Sequence, residues 1–478
     1  MLLPWLTLLD FKGVFANFRK ARRLDYRHKN DDFVILIPIF NDVKYLSNIE
    51  FLKKYSGKVV LCTTNIETEK FYNDLEKIAR ENNFEVIKTE FRKDVKNPWK
   101  IYQKTLLAHD YVLGEAIKIL NAKYVIFLDA DTTCRTDLRY LIGMMERDDI
   151  DLASVKVLPS RKKTITENLQ YIEYEVAMKS RRIYPWLTSG AAMAAKRESM
   201  KKIMEKHSLF FNGGDIEIGK IAHLMGMKVE HIPVRFYTDV PETYPKLVKQ
   251  RFSWFCGAFR HSVINAHTNL FSPIYSLYFT LIIFFMLPMK IHELFSHWFI
   301  LPFIFLFYTL MNVIANWDIK NKYILLFPLY SLVQVLLFPI LGIYRYIKTV
   351  IKTRNTGFIR VFYKHKYHPL RYAFNITLIM LIAFFLLNTN LVEGKLMLKN
   401  IDLLKIVGVD FTTRTVPAII YNGTKLFIIM TGIFFTIFGT MKIINYLRHL
   451  NKKRRKYYKV LKEKAYDLAT TLTSVLKN

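Results

Sequence analysis

Cysteine is scarce in this sequence, and its placement excludes two classes of protein. Cys62, Cys134 and Cys256 are the only cysteines among the 478 residues, and no two of them form a CxxC pair. Small disulfide-stabilised folds and thiolate zinc sites both need closely spaced cysteines. The sequence therefore predicts neither, and the three residues fit a domain in the reducing cytosol.

Acidic residues are also few relative to basic ones. The chain has 40 Asp and Glu against 71 Lys and Arg, a formal net charge of +31, yet 51% of its residues are hydrophobic. Basic clusters such as KKRRK at 452–456 directly follow apolar runs, which is typical of cytoplasmic surfaces beside a membrane. This placement argues against a nucleic-acid partner. We expect membrane lipids as the partner of the basic surface.

The N-terminus lacks the basic start and the cleavage site of a signal peptide, because its charges follow the apolar stretch. Leu2, Leu6, Leu9, Phe15 and Phe18 recur near helical spacing, but the uncharged part is too short to cross a bilayer. Residues 1–28 are therefore predicted to form an amphipathic helix in the membrane interface. A helix packed on the soluble domain is the alternative.

Residues 30–238 have the pattern of a soluble α/β domain. Short β-branched runs alternate with charged helical stretches, such as those at 68–83 and 105–120. Several runs are apolar at consecutive positions, as buried and mainly parallel strands are. The predicted strands lie at 33–40, 58–62, 85–90, 124–129 and 152–157.

Beyond residue 272 the sequence becomes strongly apolar. Five segments approach or exceed the ~20 residues of a bilayer-spanning helix. They lie at 273–290, 297–316, 323–345, 372–391 and 417–446. The stretch 345–371 has eight Lys or Arg and no acid, so it and the tail are expected on the cytoplasmic side.

A cytosolic sheet domain requires an even number of later crossings, so one apolar segment is expected to be interfacial or re-entrant. The candidates are the Pro-interrupted segment 323–345 and part of 273–316. The chain is thus predicted to be an integral protein of the cell membrane. Its parts would be an interfacial helix (1–28), a sheet domain (30–238), interfacial helices (239–272), a transmembrane domain (273–446) and a basic cytosolic tail (447–478).

Two aspartates follow the strand predicted at 124–129, in the sequence DADT. Ligand sites of open α/β sheets form at the carboxyl ends of strands. Asp129 and Asp131 can therefore converge on one hard cation, which would neutralise a leaving diphosphate. A solvated acidic turn is the alternative for this motif taken alone.

A third aspartate begins a helical stretch after a glycine pair, in GGDIEIG. As a general base, Asp215 would take the proton of an acceptor hydroxyl during its attack. The alternative is a helix N-cap, which would contribute ~1 kcal/mol to stability. The two roles are compatible with each other.

The segment KQRFSWFCG at 249–257 precedes the first long apolar run. A tryptophan face is a platform for a sugar ring, and Gln and Arg side chains donate hydrogen bonds to hydroxyls or phosphate. The alternative is an interfacial helix with aromatic anchors.

The order of these motifs resembles that of the membrane-integrated family 2 glycosyltransferases. That family includes the cellulose, chitin, hyaluronan and poly-N-acetylglucosamine synthases and ceramide glucosyltransferase. PIFND resembles the family's PxYNE, DADT its DxD, TSGAAMAAKRESM its SG…RRE segment, GGDIEIG its ED-x-(D/E)-L-G motif and QRFSW its QxxRW motif. The resemblance is close over about 33–272 and rests on architecture alone beyond that.

Three positions differ from the family pattern. LCTTN at 61–65 stands where the family has an acidic DDGS, and Gly214 stands where it has an acid. Ser253 replaces the arginine of QxxRW, which leaves Arg251 or Arg260 to meet the diphosphate.

The resemblance implies a GT-A fold, which is α/β and Rossmann-like with a mostly parallel sheet, joined to an α-helical transmembrane domain. It implies an inverting, metal-dependent hexosyltransferase that uses a nucleotide-sugar donor, foremost a UDP-sugar, with Mn²⁺ or Mg²⁺. Asp129 and Asp131 would hold the metal and Asp215 would be the catalytic base. The other donor-binding residues would be Pro38, Asn41, Lys104, Gln250 and Arg251, and the acceptor would meet Ser189, Gly190 and Trp254.

Two kinds of acceptor fit this resemblance. A processive synthase would extend a polysaccharide and thread it through its own membrane helices. Transfer of a single sugar to a membrane lipid is the alternative, and Ser253 favours it. A catalytically silent membrane protein or transporter is a different class, and the absence of ionisable residues in the middle of the apolar runs argues against ion transport.

Overall fold

A computed structural model of the chain describes residues 24–90, 100–210, 212–269 and 301–361, together with Thr377. The chain divides into two compact units, and the first comprises Met1–Thr268 and Tyr278–Lys364. The second comprises Asn269–Leu277 and His365–Asn478. Nearly all described residues belong to the first unit. The predicted helix over 1–23, the apolar runs at 273–290, 372–391 and 417–446, and the basic tail lie outside them.

An eight-stranded sheet lies at the centre of the first unit, in the order β3-β2-β1-β4-β7-β6-β8-β5. Its strands are β1 Phe33–Pro38, β2 Val59–Thr64, β3 Glu85–Thr89, β4 Tyr124–Leu128, β5 Thr133–Cys134, β6 Leu152–Pro159, β7 Ala192–Lys196 and β8 Val229–Thr238. Every residue of β2 and of β4 is buried, as in a sheet covered on both faces. The predicted α/β class and all five predicted strands are confirmed.

The sheet is mixed rather than mostly parallel. β1 pairs parallel with β2 and β4, whereas β7 runs antiparallel to β4 and to β6. The short strands β5 and β7 and the long strand β8 had not been predicted. The residues of β7 are AMAAK, which lack the β-branched and aromatic side chains typical of strands.

Ten helices are described in chain order. They are α1 Ile49–Leu52, α2 Glu69–Asn82, α3 Lys100–Ile119, α4 Leu138–Arg147, α5 Ile165–Ile183, α6 Arg197–Met204, α7 Gly214–Leu224, α8 Tyr244–Phe259, α9 Leu301–Ala315 and α10 Phe327–Thr353. The helical segments predicted at 68–83 and 105–120 correspond to α2 and to most of α3. Short 3-10 turns lie at Val43–Tyr45, Lys53–Tyr55, Ala266–Asn269 and Lys322–Leu325, and a π-helical turn at Arg260–Ile264 follows α8.

Among the described residues, one helix is long and apolar enough to cross a bilayer, judged by length and composition. This helix is α10, and it continues through Pro339 rather than ending there. Its other proline, Pro328, lies in the first turn, where the missing N–H would have no helical partner. α10 packs along α8, since a Cβ added at Gly342 would lie 2.6 Å from the carbonyl carbon of Phe255. The suspected interruption of 323–345 is thus a continuous helix.

Candidate active site

A cavity of about 400 Å³ opens where β1 and β4 end. Side chains and backbone from the strand ends, from α3, from the start of α7 and from α8 line it. Of the eleven residues predicted for the site, eight lie on this cavity: Pro38, Asp129, Asp131, Ser189, Gly190, Asp215, Gln250 and Trp254. Segments that are more than 200 residues apart in sequence are therefore brought together as the motif order implies.

Asp129 and Asp131 lie in the turn that follows β4. Asn48 fixes this turn, because its side-chain amide donates to the carbonyl oxygens of Asp129 and Thr132 at 3.1 and 2.7 Å. One carboxylate oxygen of Asp131 accepts hydrogen bonds from Thr132 Oγ1 at 3.1 Å and from Thr238 Oγ1 at 3.0 Å. Burial and then the neighbouring charge of Asp129 raise the pKa of Asp131 to about 6. A bound cation would relieve this repulsion.

Asp215 lies in the first turn of α7, behind a glycine that the backbone requires. Gly213 has φ +81°, and a Cβ there would lie 2.8 Å from Nε2 of His261. Gly213 is the N-cap of α7, so the alternative reading of Asp215 as the N-cap is wrong. The carboxylate instead accepts a hydrogen bond from the N–H of Gly190 at 3.0 Å, which joins two of the predicted motifs.

The environment of Asp215 suits a proton acceptor. Burial raises the pKa of its carboxyl group, although the N–H groups of Gly190 and Ile216 and the charge of Arg181 oppose this shift. A carboxylate with a raised pKa is a stronger base than one in water. The hydroxyl of Thr188 donates to the Asp215 carbonyl, which ties the start of α7 to the segment before β7.

His109 and Asp110 also line the cavity and had not been predicted. Nδ1 of His109 lies 2.9 Å from Oδ1 of Asp110, and Nε2 lies 3.8 Å from Oδ1 of Asp129. Burial lowers the pKa of His109, but the two carboxylates outweigh it and raise this pKa to about 10. A signal was present in the sequence, since Asp110 stands on the helical stripe of Leu113, Ile117 and Leu120, where a core residue is expected.

Helix α8 presents one face to the cavity. Gln250, Ser253 and Trp254 line it, and the Trp254 side chain is 43% exposed. Ser253 accepts a hydrogen bond from the side-chain amide of Asn212 at 2.6 Å, so its hydroxyl is bound to the loop before α7. A sugar ring can therefore reach the tryptophan face, while the serine holds the neighbouring loop.

Arg251 is placed differently from the prediction. Its side chain is fully buried, pairs with Glu173 and donates to the hydroxyl of Tyr330 at 3.2 Å. The guanidinium carbon lies 3.9 Å from the ring centroid of Trp254, on which it stacks. The structure therefore does not bring Arg251 to the cavity, because its charge is neutralised inside the protein.

Two further predicted donor residues do not contribute described side chains to the cavity. Asn41 is exposed and has a positive φ of 67°, and its N–H donates to Glu67 at 3.2 Å. Lys104 lies in α3, and its side chain is outside the described residues.

A buried arginine fixes the loop that precedes α7. Arg260 pairs with Glu217 of α7, and neither side chain is exposed. The same guanidinium donates to the carbonyl oxygens of Phe210 and Asn212 at 2.9 Å and of Gly357 at 3.0 Å. Arg260 therefore holds the loop and α7 together instead of facing the cavity.

Comparison with known proteins identifies the family to which the geometry corresponds. The profile of glycosyl transferase family group 2 matches residues 124–391, more than half of the chain. No curated protein sequence matches it.

Several solved structures are similar to parts of the chain. A mannosyltransferase from Pyrobaculum calidifontis in complex with GDP-mannose and Mn²⁺ is 12% identical, with a TM-score of 0.39 over 74% of this chain and 99% of that one. Residues 1–349 of TarS from S. aureus are 13% identical, with a TM-score of 0.32 over 68% and 92%. Glucosyl-3-phosphoglycerate synthase from Mycobacterium tuberculosis, in complex with phosphoglyceric acid, is 14% identical, with a TM-score of 0.30 over 50% and 78%.

Proposed function

Because the chain belongs to glycosyl transferase family group 2, we propose that it is an inverting transferase that moves a sugar from a nucleotide-sugar to an acceptor hydroxyl. The observation that carries this proposal is that Asp129, Asp131 and Asp215 line one cavity together with the exposed face of Trp254. Paired carboxylates suit a metal-bound diphosphate, and a separate buried carboxylate suits proton removal.

The donor end of the cavity would hold Mn²⁺ or Mg²⁺ through Asp129 and Asp131. No group of three His, Cys, Asp or Glu side chains in the described parts of the chain is placed to hold a metal. Two carboxylates still fit such an ion, since Mg²⁺ commonly takes one or two carboxylates and completes its shell with water and substrate phosphates. When bound, the ion would neutralise charge on the departing diphosphate.

Asp215 would accept the proton of the attacking hydroxyl. The new bond forms between the acceptor oxygen and the anomeric carbon, while the bond from that carbon to the phosphate oxygen breaks. The nucleoside diphosphate leaves with the bonding electrons, and the sugar's configuration inverts because attack is in line. The N–H of Gly190 would keep the Asp215 carboxylate oriented throughout, at its observed distance of 3.0 Å.

The acceptor would enter over Trp254 and past Ser189 and Gly190. We favour a growing polysaccharide as acceptor, because an exposed indole can rebind the chain end after each transfer. The exposed apolar side chains of α9 and α10, among them Leu310, Ile314 and Ile340, support anchoring in the cell membrane, with the sheet domain in the cytosol. A lipid acceptor that receives a single sugar is the rival outcome of the same assay.

The experiment uses the full-length protein in detergent or lipid nanodiscs with Mn²⁺ and radiolabelled UDP- and GDP-sugars. Asp215→Asn should bind the nucleoside diphosphate as the wild type does, yet transfer sugar about 10² to 10⁴ times more slowly. Asp149→Asn is the matched control, because the Asp149 side chain is 89% exposed on the surface. Transfer by Asp215→Asn at the control rate would refute the base assignment. Product size distinguishes a polymer from a single addition to lipid.

A further inference from the structure

His109 is the only basic residue among the described residues that line the cavity. The same lining contains five carboxylates, from Asp110, Asp129, Asp131, Asp215 and Asp239. A diphosphate that entered this space would meet strong negative potential. One divalent cation offsets only part of that charge, so a further positive partner is needed on the wall.

The nearby arginines do not supply this partner. Arg251 is neutralised by Glu173, and Arg260 is engaged by Glu217 and three backbone carbonyls. Ser253, at the position where the related sequences have arginine, carries no charge and accepts a hydrogen bond from Asn212. The described cavity wall thus offers one cationic group, the imidazole of His109.

The ring of His109 is held in a fixed orientation. Asp110 is buried and accepts from Nδ1 at 2.9 Å, while Nε2 faces Asp129 across 3.8 Å. A ring with a carboxylate at each nitrogen has the contacts of a doubly protonated imidazole. Asp110 has room for this position because residue 214 is glycine, and a Cβ there would overlap its carboxylate.

We propose that His109 is a binding residue for the donor diphosphate and that Asp110 positions its ring. Nε2–H would donate to a phosphate oxygen beside the ion held by Asp129 and Asp131. This inference rests on the proposed function and deepens it, because it assigns the charge that Ser253 cannot supply. The ligand recognised is the diphosphate group, whichever nucleobase carries it.

The experiment measures binding of UDP and GDP, with UMP and GMP as comparison, to the full-length protein at saturating Mn²⁺. His109→Gln should weaken nucleoside diphosphate binding about tenfold or more, the usual size of a lost charge-assisted hydrogen bond. Binding of the monophosphates should change little. Asp110→Asn should weaken diphosphate binding in the same direction but less, since the ring remains while its carboxylate partner is lost.

Two controls separate the explanations. His28→Gln makes the same chemical change on an exposed residue and should bind as the wild type does. The Mn²⁺ concentration for half-maximal binding should stay unchanged in His109→Gln. A shift in that concentration, with normal affinity at saturating Mn²⁺, would make His109 a metal ligand and overturn the proposal. So would unchanged diphosphate affinity in a His109→Gln protein that melts normally. A wild type that binds no nucleoside diphosphate at all would instead refute the proposed function.

Discussion

Replacement of Arg260 by methionine should strongly destabilise the sheet domain. The substitution keeps most of the side-chain volume but removes the charge that pairs with Glu217, and neither side chain is exposed. It also removes the donors to the carbonyl oxygens of Phe210, Asn212 and Gly357. Breaking a buried pair in this way costs about 3 to 5 kcal/mol, because one charge is left without its partner.

The assay is thermal unfolding of the purified protein, followed by intrinsic fluorescence. For a domain of this size, a loss of 3 to 5 kcal/mol lowers the melting temperature by roughly 6 to 20 °C. Arg27→Met is the matched control, because the Arg27 side chain is 83% exposed and its pair with Asp25 is solvated. The control should melt at the wild-type temperature.

A second substitution tests whether the uncompensated charge is the cause. Glu217→Gln removes that charge, and its side-chain oxygen can still accept from the N–H and hydroxyl of Ser208. Added to Arg260→Met, it should recover part of the lost stability, so the double variant is less destabilised than the sum of the single variants. Additive effects, or a wild-type melting temperature for Arg260→Met, would refute the reasoning.

Two further predictions concern buried titratable groups. Burial lowers the pKa of His231 to about 3, whereas an unfolded histidine titrates near 6.5, so the unfolded state binds more protons between these values. Stability should therefore fall as the pH drops from 6.5 towards 3, by about 1.4 kcal/mol per unit more than in His231→Gln, and equal acid sensitivity of the two proteins would contradict this. Burial also raises the pKa of the Cys62 thiol, and that of Cys134 to about 12. Both thiols should resist a disulfide reagent at pH 8 until the protein is unfolded, which absorbance measures directly.

The carboxylates of the candidate site were predictable because their positions follow from local rules. Asp129 and Asp131 come after an apolar run that ends at the sheet's carboxyl edge, and Asp215 follows a glycine pair that begins a helix. Such features need no knowledge of distant contacts. The strand β7 was not predictable in this way, because AMAAK forms a strand only through its pairing with β4 and β6.

Arg251 shows where reading a motif as a unit fails. In QRFSW, Gln250 and Trp254 are four residues apart and share one face of α8, as Leu247 and Arg251 share another. The first pair lines the cavity, whereas the second pair is buried against the rest of the protein. Helical phase alone would have separated Arg251 from its neighbours once the segment was recognised as a helix.

The position of His109 depends on a step that sequence spacing does not contain. Asp110 fits beside α7 only because residue 214 has no side chain, and these residues are more than 100 positions apart. The glycine at 214, which looked like the loss of an acid from a motif, makes room for a carboxylate from another helix. That carboxylate orients a histidine towards Asp129, so the two departures at 214 and 253 have one common consequence: the charge that would face the diphosphate comes from α3 instead of α8.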